Sequence, residues 1–174
     1  MTRKELKQLL DCECDVRMGR FFLSYYPENH SVYLFRMSQY HATHKGLWHL
    51  FMKKYYSRKL VRLYGILASP YAQIGKGLRF VHPTGIVVGA HVRAGEHLHL
   101  YQHSTLGDAR WGDVHRGNQP VIGDHVTIFS GAAALGAIHI GDNVTVGANS
   151  TLLNDAPDNS ICVGSPARII KKGS

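Results

Sequence analysis

Apolar residues recur along the C-terminal part of this chain with a period of six. Every sixth residue from 68 reads Ala68, Ile74, Phe80, Ile86, Val92, Leu98 and Ser104. After an interruption the series resumes as Ile122, Ile128, Ala134, Ile140, Val146 and Leu152, so twelve of thirteen positions are apolar. Against a background of 44% hydrophobic residues, chance does not readily produce such a run. A helix would repeat every 3.6 residues and a half-exposed strand every two, and six fits neither. The pattern predicts a solenoid in which each hexad supplies a short strand and a turn, and three sides close one coil. The recurring apolar side chain then points inward, where stacked coils bury it. Small residues often follow it, as in Ile74-Gly75, Ile122-Gly123, Ile140-Gly141 and Val146-Gly147, which suits a tight backbone turn.

The first 67 residues carry a different pattern. Segments 31–42 and 46–64 place apolar groups at helical spacing, for example Leu47, Leu50, Phe51 and Tyr55. Pro27 and Asn29 are expected to break the chain between an earlier helix and these two. The segment 46–64 also mixes Trp48, Phe51 and Tyr56 with Lys53, Lys54, Arg58, Lys59 and Arg62. Such a helix either packs on its own chain, the preferred reading, or lies on a lipid surface.

Composition sharpens the boundary. Residues 1–67 hold 12 of the 17 aromatics but 3 of the 18 glycines, which separates an α-helical N-terminal region (1–67) from a β-helix domain (68–174). The same 67 residues carry 12 Lys and Arg against 5 Asp and Glu, most of the chain's net charge of +8. A solvated basic face accounts for this, as does attraction to a membrane surface, a phosphorylated acceptor or a nucleotide. No run of 18 apolar residues and no apolar leader is seen, so neither a membrane span nor a secretory signal is expected. Three cysteines, Cys12, Cys14 and Cys162, are too few and too poorly spaced for a disulfide framework, which suits a reducing cytoplasm.

The stretch 107–120 breaks the period. Arg110 and Arg116 fall where interior residues belong, and neither tolerates unpaired burial. The segment is therefore expected to leave the solenoid as a protruding loop, a usual place for function.

Three segments now carry a resemblance. IGKGLRFVHPTGIVVG (74–89), LYQHSTLGD (100–108) and IGDNVTVGANSTLLNDAPDNSICVGSPARII (140–170) together resemble the serine acetyltransferase branch of the hexapeptide acyltransferases. That resemblance implies a mainly β, left-handed parallel β-helix, acetyl-CoA as donor substrate, no metal, and a homotrimer. It implies His82 as the general base, a role suited to an imidazole with an ordinary pKa near 6.5. Backbone N–H groups near Gly107 are candidates for an oxyanion hole. Gln102 and His103 are candidates for contact with acceptor or cofactor. The pantetheine arm is expected along Ser130, Gly131 and Ala148, with Arg168, Lys171 and Lys172 meeting phosphates.

The acceptor is where the chain departs from that family. Val81 stands where an acid normally precedes the histidine, and GILASP (65–70) lacks the acid of the preceding coil. The loop reads Asp113-Val114-His115-Arg116 in place of the family's Asp-Arg-His-Pro. These departures resemble short capsule and exopolysaccharide acetyltransferases, and a sugar acceptor is the preferred expectation, with L-serine as the alternative. Asp108, Arg110, Trp111, Asp113 and His115 are the acceptor candidates, Trp111 by stacking on a sugar face. A lipid-linked saccharide would place the protein at the inner membrane face, with the basic helices in peripheral contact; no nucleic-acid partner is expected. Two other classes compete with this reading. A trimeric zinc enzyme of the γ-carbonic anhydrase type would use histidines such as His91, His97, His99, His103 and His115. But His91, His97 and His103 are six apart, which puts them at three different corners. A catalytically dead scaffold would keep the solenoid without the chemistry.

Overall fold

In the computed structural model, residues 1–14, 26–110 and 117–171 are described. Among the described residues three helices, α1 (Arg3–Glu13), α2 (Pro27–Ala42) and α3 (Leu47–Tyr64), precede a solenoid of short strands. Its first face stacks β1 (Leu67–Ala68), β4 (Val87–Val88), β7 (Thr105–Gly107), β10 (Ala133–Leu135) and β13 (Thr151–Leu152). The second stacks β2 (Gln73–Ile74), β5 (Arg93–Ala94), β8 (Val121–Ile122) and β11 (His139–Ile140). The third stacks β3 (Arg79–Val81), β6 (His99–Tyr101), β9 (Thr127–Ile128), β12 (Thr145–Val146) and β14 (Ser160–Val163). All these pairings are parallel; β15 (Arg168–Lys171) then turns back antiparallel on β14. This is the left-handed parallel β-helix of the hexapeptide proteins.

Each side buries two residues, one at the strand and one two positions earlier. Leu98 and Leu100, Val126 and Ile128, and Val144 and Val146 are such pairs, all fully buried. This corrects the register of the sixfold series. Ala68, Ile74 and Phe80 lie in strands, whereas Ile86, Val92, Leu98 and Ser104 take the earlier interior position, and the true strand residues are Val88, Ala94, Leu100 and Leu106. The cause is a two-residue lengthening between Phe80 and Val88, so Leu67 pairs with Val87, twenty residues on, while Val87 pairs with Thr105, eighteen on. The excursion adds ten more: Val88 pairs with Leu106, but Leu106 pairs with Ala134.

The small residues after the strands have a reason other than the turn. At Gly75 an added Cβ would stand 2.6 Å from the Gly95 carbonyl oxygen, and at Gly123 it would meet the Gly141 carbonyl carbon at 2.9 Å. The next coil's aspartates also reach over Gly95, Gly123 and Gly141: the Glu96, Asp124 and Asp142 amides donate to the Asp124, Asp142 and Asp158 carboxylates at 2.6–2.8 Å. The left-handed backbone conformation falls instead at the following corner residues, His97, His125, Asn143 and Asn159, with φ of 56–58°. Asn and His accept this region more readily than most residues.

The helices close the first coil. α1 begins on a reciprocal cap, Thr2 accepting from the Glu5 amide at 3.2 Å and Glu5 from the Thr2 amide at 2.8 Å. Pro27 opens α2 rather than breaking the chain there, because a first-turn proline lacks only an N–H that would go unused. Arg36 of α2 is 1% exposed and ion-paired to Glu13 through two contacts of 2.6 and 2.8 Å. It also donates to the Ile74 and Gly75 carbonyls, while Glu13 accepts from the Leu78 amide at 3.0 Å. Phe35 meets Phe80 edge to face at 5.8 Å, so α2 covers the open end of the solenoid interior. Burial at the α1–α2 interface has a chemical consequence: the Cys14 thiol is pushed up to about 12 by desolvation and the Glu13 carboxylate beside it, whereas Cys12 is exposed.

Candidate active site

The turn after β3 carries His82 in the left-handed conformation, φ 49°, followed by Pro83. It occupies the two-residue lengthening of the first coil, and that extra backbone pushes the imidazole out to solvent. The ring faces Tyr101 of the next coil edge-on at 6.4 Å, and Tyr101 lies against Phe129 of the third at 4.7 Å.

His82 also lines a cleft of about 720 Å³ with Tyr26, Pro27, Glu28, Asn29, Tyr64, Pro83 and Thr84. One wall is the first turn of α2, the other the last residue of α3. The Gly85 amide donates to the Tyr64 carbonyl at 3.1 Å, which ties the His82 turn to the end of α3. The Tyr64 hydroxyl shares a 2.8 Å hydrogen bond with His30 Nδ1. Burial, with Lys59 adding, holds the His30 imidazole below its ordinary range, and burial raises the Tyr64 phenol. Glu28 and Tyr64 went unrecognised in the sequence because they are brought to His82 only by docking of the helices, whereas Thr84 follows it in the same turn. Glu28 at the start of α2 reads locally as a first-turn acid and nothing more.

The other candidate residues divide between two corners of the triangular coil. Gln102 follows Tyr101, which pairs with Val81, so it stands one coil above His82. The Gly131 amide donates to the Gln102 carbonyl and the Asn149 amide to the Ser130 carbonyl, carrying the column up through Ser130, Gly131 and Ala148. The turn before Arg168 meets the top of this corner, where the Ala167 amide donates to the Thr151 carbonyl at 2.8 Å. At a coil spacing of about 4.8 Å, His82 and Ala148 are roughly 14 Å apart along this edge. Arg168 is exposed beyond them. His103 lies at the same corner with φ 59°, its ring over Gly85 of the coil below. The Gln102 Oε1 atom is buried without a hydrogen-bond partner among the described residues.

Gly107, the last residue of β7, and Asp108 and Arg110 just beyond it stand at the opposite end of the first face. Among the described residues nothing lies within 4 Å of the position a Gly107 side chain would take. Gln119, 4% exposed and not anticipated from the sequence, fastens the base of the excursion: it accepts from the His91 amide at 2.8 Å and donates to Asp108 at 2.9 Å. Its amide fills the space above Gly89, which is why residue 89 has no side chain. Trp111, Asp113, His115 and Lys172 lie outside the described residues. Lys171 ends β15. His91, His97 and His103 precede β5, β6 and β7 respectively, on three different faces, and His97 stacks on His125 at 4.7 Å as part of a corner column.

Residues 119–154 match the family described as bacterial transferase hexapeptide (six repeats). The chain is 36% identical over 147 residues to a serine acetyltransferase of Helicobacter pylori, covering 84% of this chain and 83% of that protein. Its fold matches a Neisseria gonorrhoeae serine acetyltransferase with a TM-score of 0.81 at 24% identity, covering 97% of this chain and 67% of the other. A serine acetyltransferase in complex with CoA matches with a TM-score of 0.76 at 27% identity, covering 97% and 71%. On this likeness the chain belongs to the serine acetyltransferase family of hexapeptide-repeat acyltransferases.

Proposed function

We propose that this chain transfers the acetyl group of acetyl-CoA to the hydroxyl of L-serine, with His82 as general base. The observation that carries the reading is an exposed His82 in an extended turn, at the foot of a corner column and inside a cleft, in a chain whose relatives are serine acetyltransferases. The comparisons favour serine over the saccharide that the loop sequence suggested, and serine becomes the main acceptor.

The imidazole takes the hydroxyl proton as the oxygen attacks the thioester carbonyl. The tetrahedral oxyanion collapses, the C–S bond breaks, and the CoA thiolate takes the proton back from the imidazolium. Among the described residues Glu28 is the one carboxylate lining the cleft, and it suits the ammonium group of serine, in place of the acid that Val81 does not supply. The edge formed by Gln102, Ser130, Gly131 and Ala148 suits the pantetheine arm, with Arg168 at the phosphate end. Gly107 and Asp108 sit a full face away from His82 in one chain. A backbone N–H near Gly107 can meet the oxyanion at His82 only if it comes from a second copy, which supports a homotrimer with its sites between subunits.

A saccharide acceptor is the second reading. It is favoured by the absence of an acid before His82 and by the basic helices. Release of free thiol from acetyl-CoA, measured against L-serine, simple sugars and nucleotide sugars, separates the two. Turnover with L-serine supports the main reading; turnover with a saccharide alone replaces it. Among the described residues no helix is long and apolar enough to cross a membrane.

A further inference from the structure

The helix α3 does not bury the side that its apolar spacing suggested. Met52, Tyr56 and Leu60 face inward, whereas Leu47, Trp48 and Phe51 are 87%, 65% and 62% exposed and Leu50 joins them. Scattered exposed apolar residues are ordinary, but these four fall within the first turn and a half of one helix. Trp48 and Phe51 rings stand 6.4 Å apart, forming one projecting apolar tip.

We propose that this tip docks on an anionic lipid surface. Charge decides the occupant. Among its 18 residues α3 has five Lys and Arg and no Asp or Glu. Lys54 and Arg58 continue the exposed side beyond Phe51 at helical spacing, Lys45 precedes the tip, and Arg3 and Lys7 of α1 line the groove beside Trp48. Asp11 is the single acid in that groove among the described residues. A second copy meeting this side through the same side would bring together two surfaces in which cations outnumber acids. Anionic headgroups supply the missing sign, and the acyl boundary below them takes Trp48 and Phe51. The helix lies on the surface rather than across it, since it is too short of apolar length to span. This docking is independent of which acceptor hydroxyl the site uses.

The test is flotation of the full chain with vesicles of phosphatidylcholine alone or mixed with phosphatidylglycerol. Binding is expected only with the anionic vesicles, falling at least about tenfold on Lys54→Glu with Arg58→Glu. Vesicles should shift Trp emission to the blue, a shift lost in Trp48→Phe. Leu47→Ser with Phe51→Ser should abolish binding without lowering the melting temperature, because both residues are exposed. Failure to bind anionic vesicles overturns the proposal. So does a fall in solution mass on Leu47→Ser with Phe51→Ser, which would assign the tip to a second copy.

Discussion

The solenoid and the helices in front of it are held together by opposite means. Within the solenoid the coils repeat the same kinds of contact: two interior side chains per side, a glycine where the next coil presses close and, over Gly95, Gly123 and Gly141, an aspartate reaching back one coil. The interest of any one residue is spread over many equivalents. The helices are fixed by contacts that occur once. Arg36 ties α1, α2 and the first coil together through Glu13, Ile74 and Gly75. A repeated architecture tolerates local damage, while a singular one concentrates it.

The largest effect should therefore come from the singular contact. Arg36→Met leaves Glu13 charged, buried and unpaired, a loss of about 3–5 kcal/mol. Thermal melting should fall by roughly 6–20 °C, at about 2–4 °C per kcal/mol for a chain of this size. A wild-type melt from this variant would mean that the helices are not anchored as described. At the lengthened turn of the first coil, His82→Ala should lower turnover by about 100-fold or more while CoA binding, followed by titration, persists. Unchanged turnover would remove His82 from the chemistry.

A substitution within the repeat should cost less. Gly123→Ala pushes a methyl against the Gly141 backbone and the Asp142 carboxylate, and a loss of about 1–3 kcal/mol is expected by denaturant titration. A loss as large as that of Arg36→Met would erase the contrast between the two regions. The mildest effect is pH dependence, which draws on both. His30 and His41 in the helices and His99 on β6 are held below their ordinary range, each by burial first. Lys59 adds to this at His30, His49 and His44 at His41, and Arg79 with its neighbouring histidines at His99. With the native pKa depressed, the unfolded chain binds more protons below its own value near 6.5. Stability should be full above that pH and decline as pH falls toward the native values. Melts across this range would show a flat profile if these rings were solvated.

The repeat and its inward residues were legible because burial recurs at fixed spacing. The phase slip after Phe80 was not, since both interior positions of a side accept apolar residues, and Ile86, Val92 and Leu98 satisfy either register. The flanking motif singled out His82 as the candidate base, whereas no local pattern singled out Glu28, Tyr64 or Gln119. Their neighbours are 54, 18 and 11 residues away in sequence, at His82, His82 and Asp108. The face of α3 was misread because its apolar spacing fits two sides of the helix, and spacing alone does not say which side is wet.

The lengthened turn at His82 and the ten-residue excursion share a property that reaches beyond this site. Each adds residues at a corner, and each later inward side chain returns to its place one strand on. Corners therefore act as joints where a frame of six can be interrupted and resumed. New backbone introduced there changes what the edge of the coil presents to a ligand while leaving the core untouched. Variation among relatives of this chain should gather at those joints, so acceptor preference can change there without the solenoid being rebuilt.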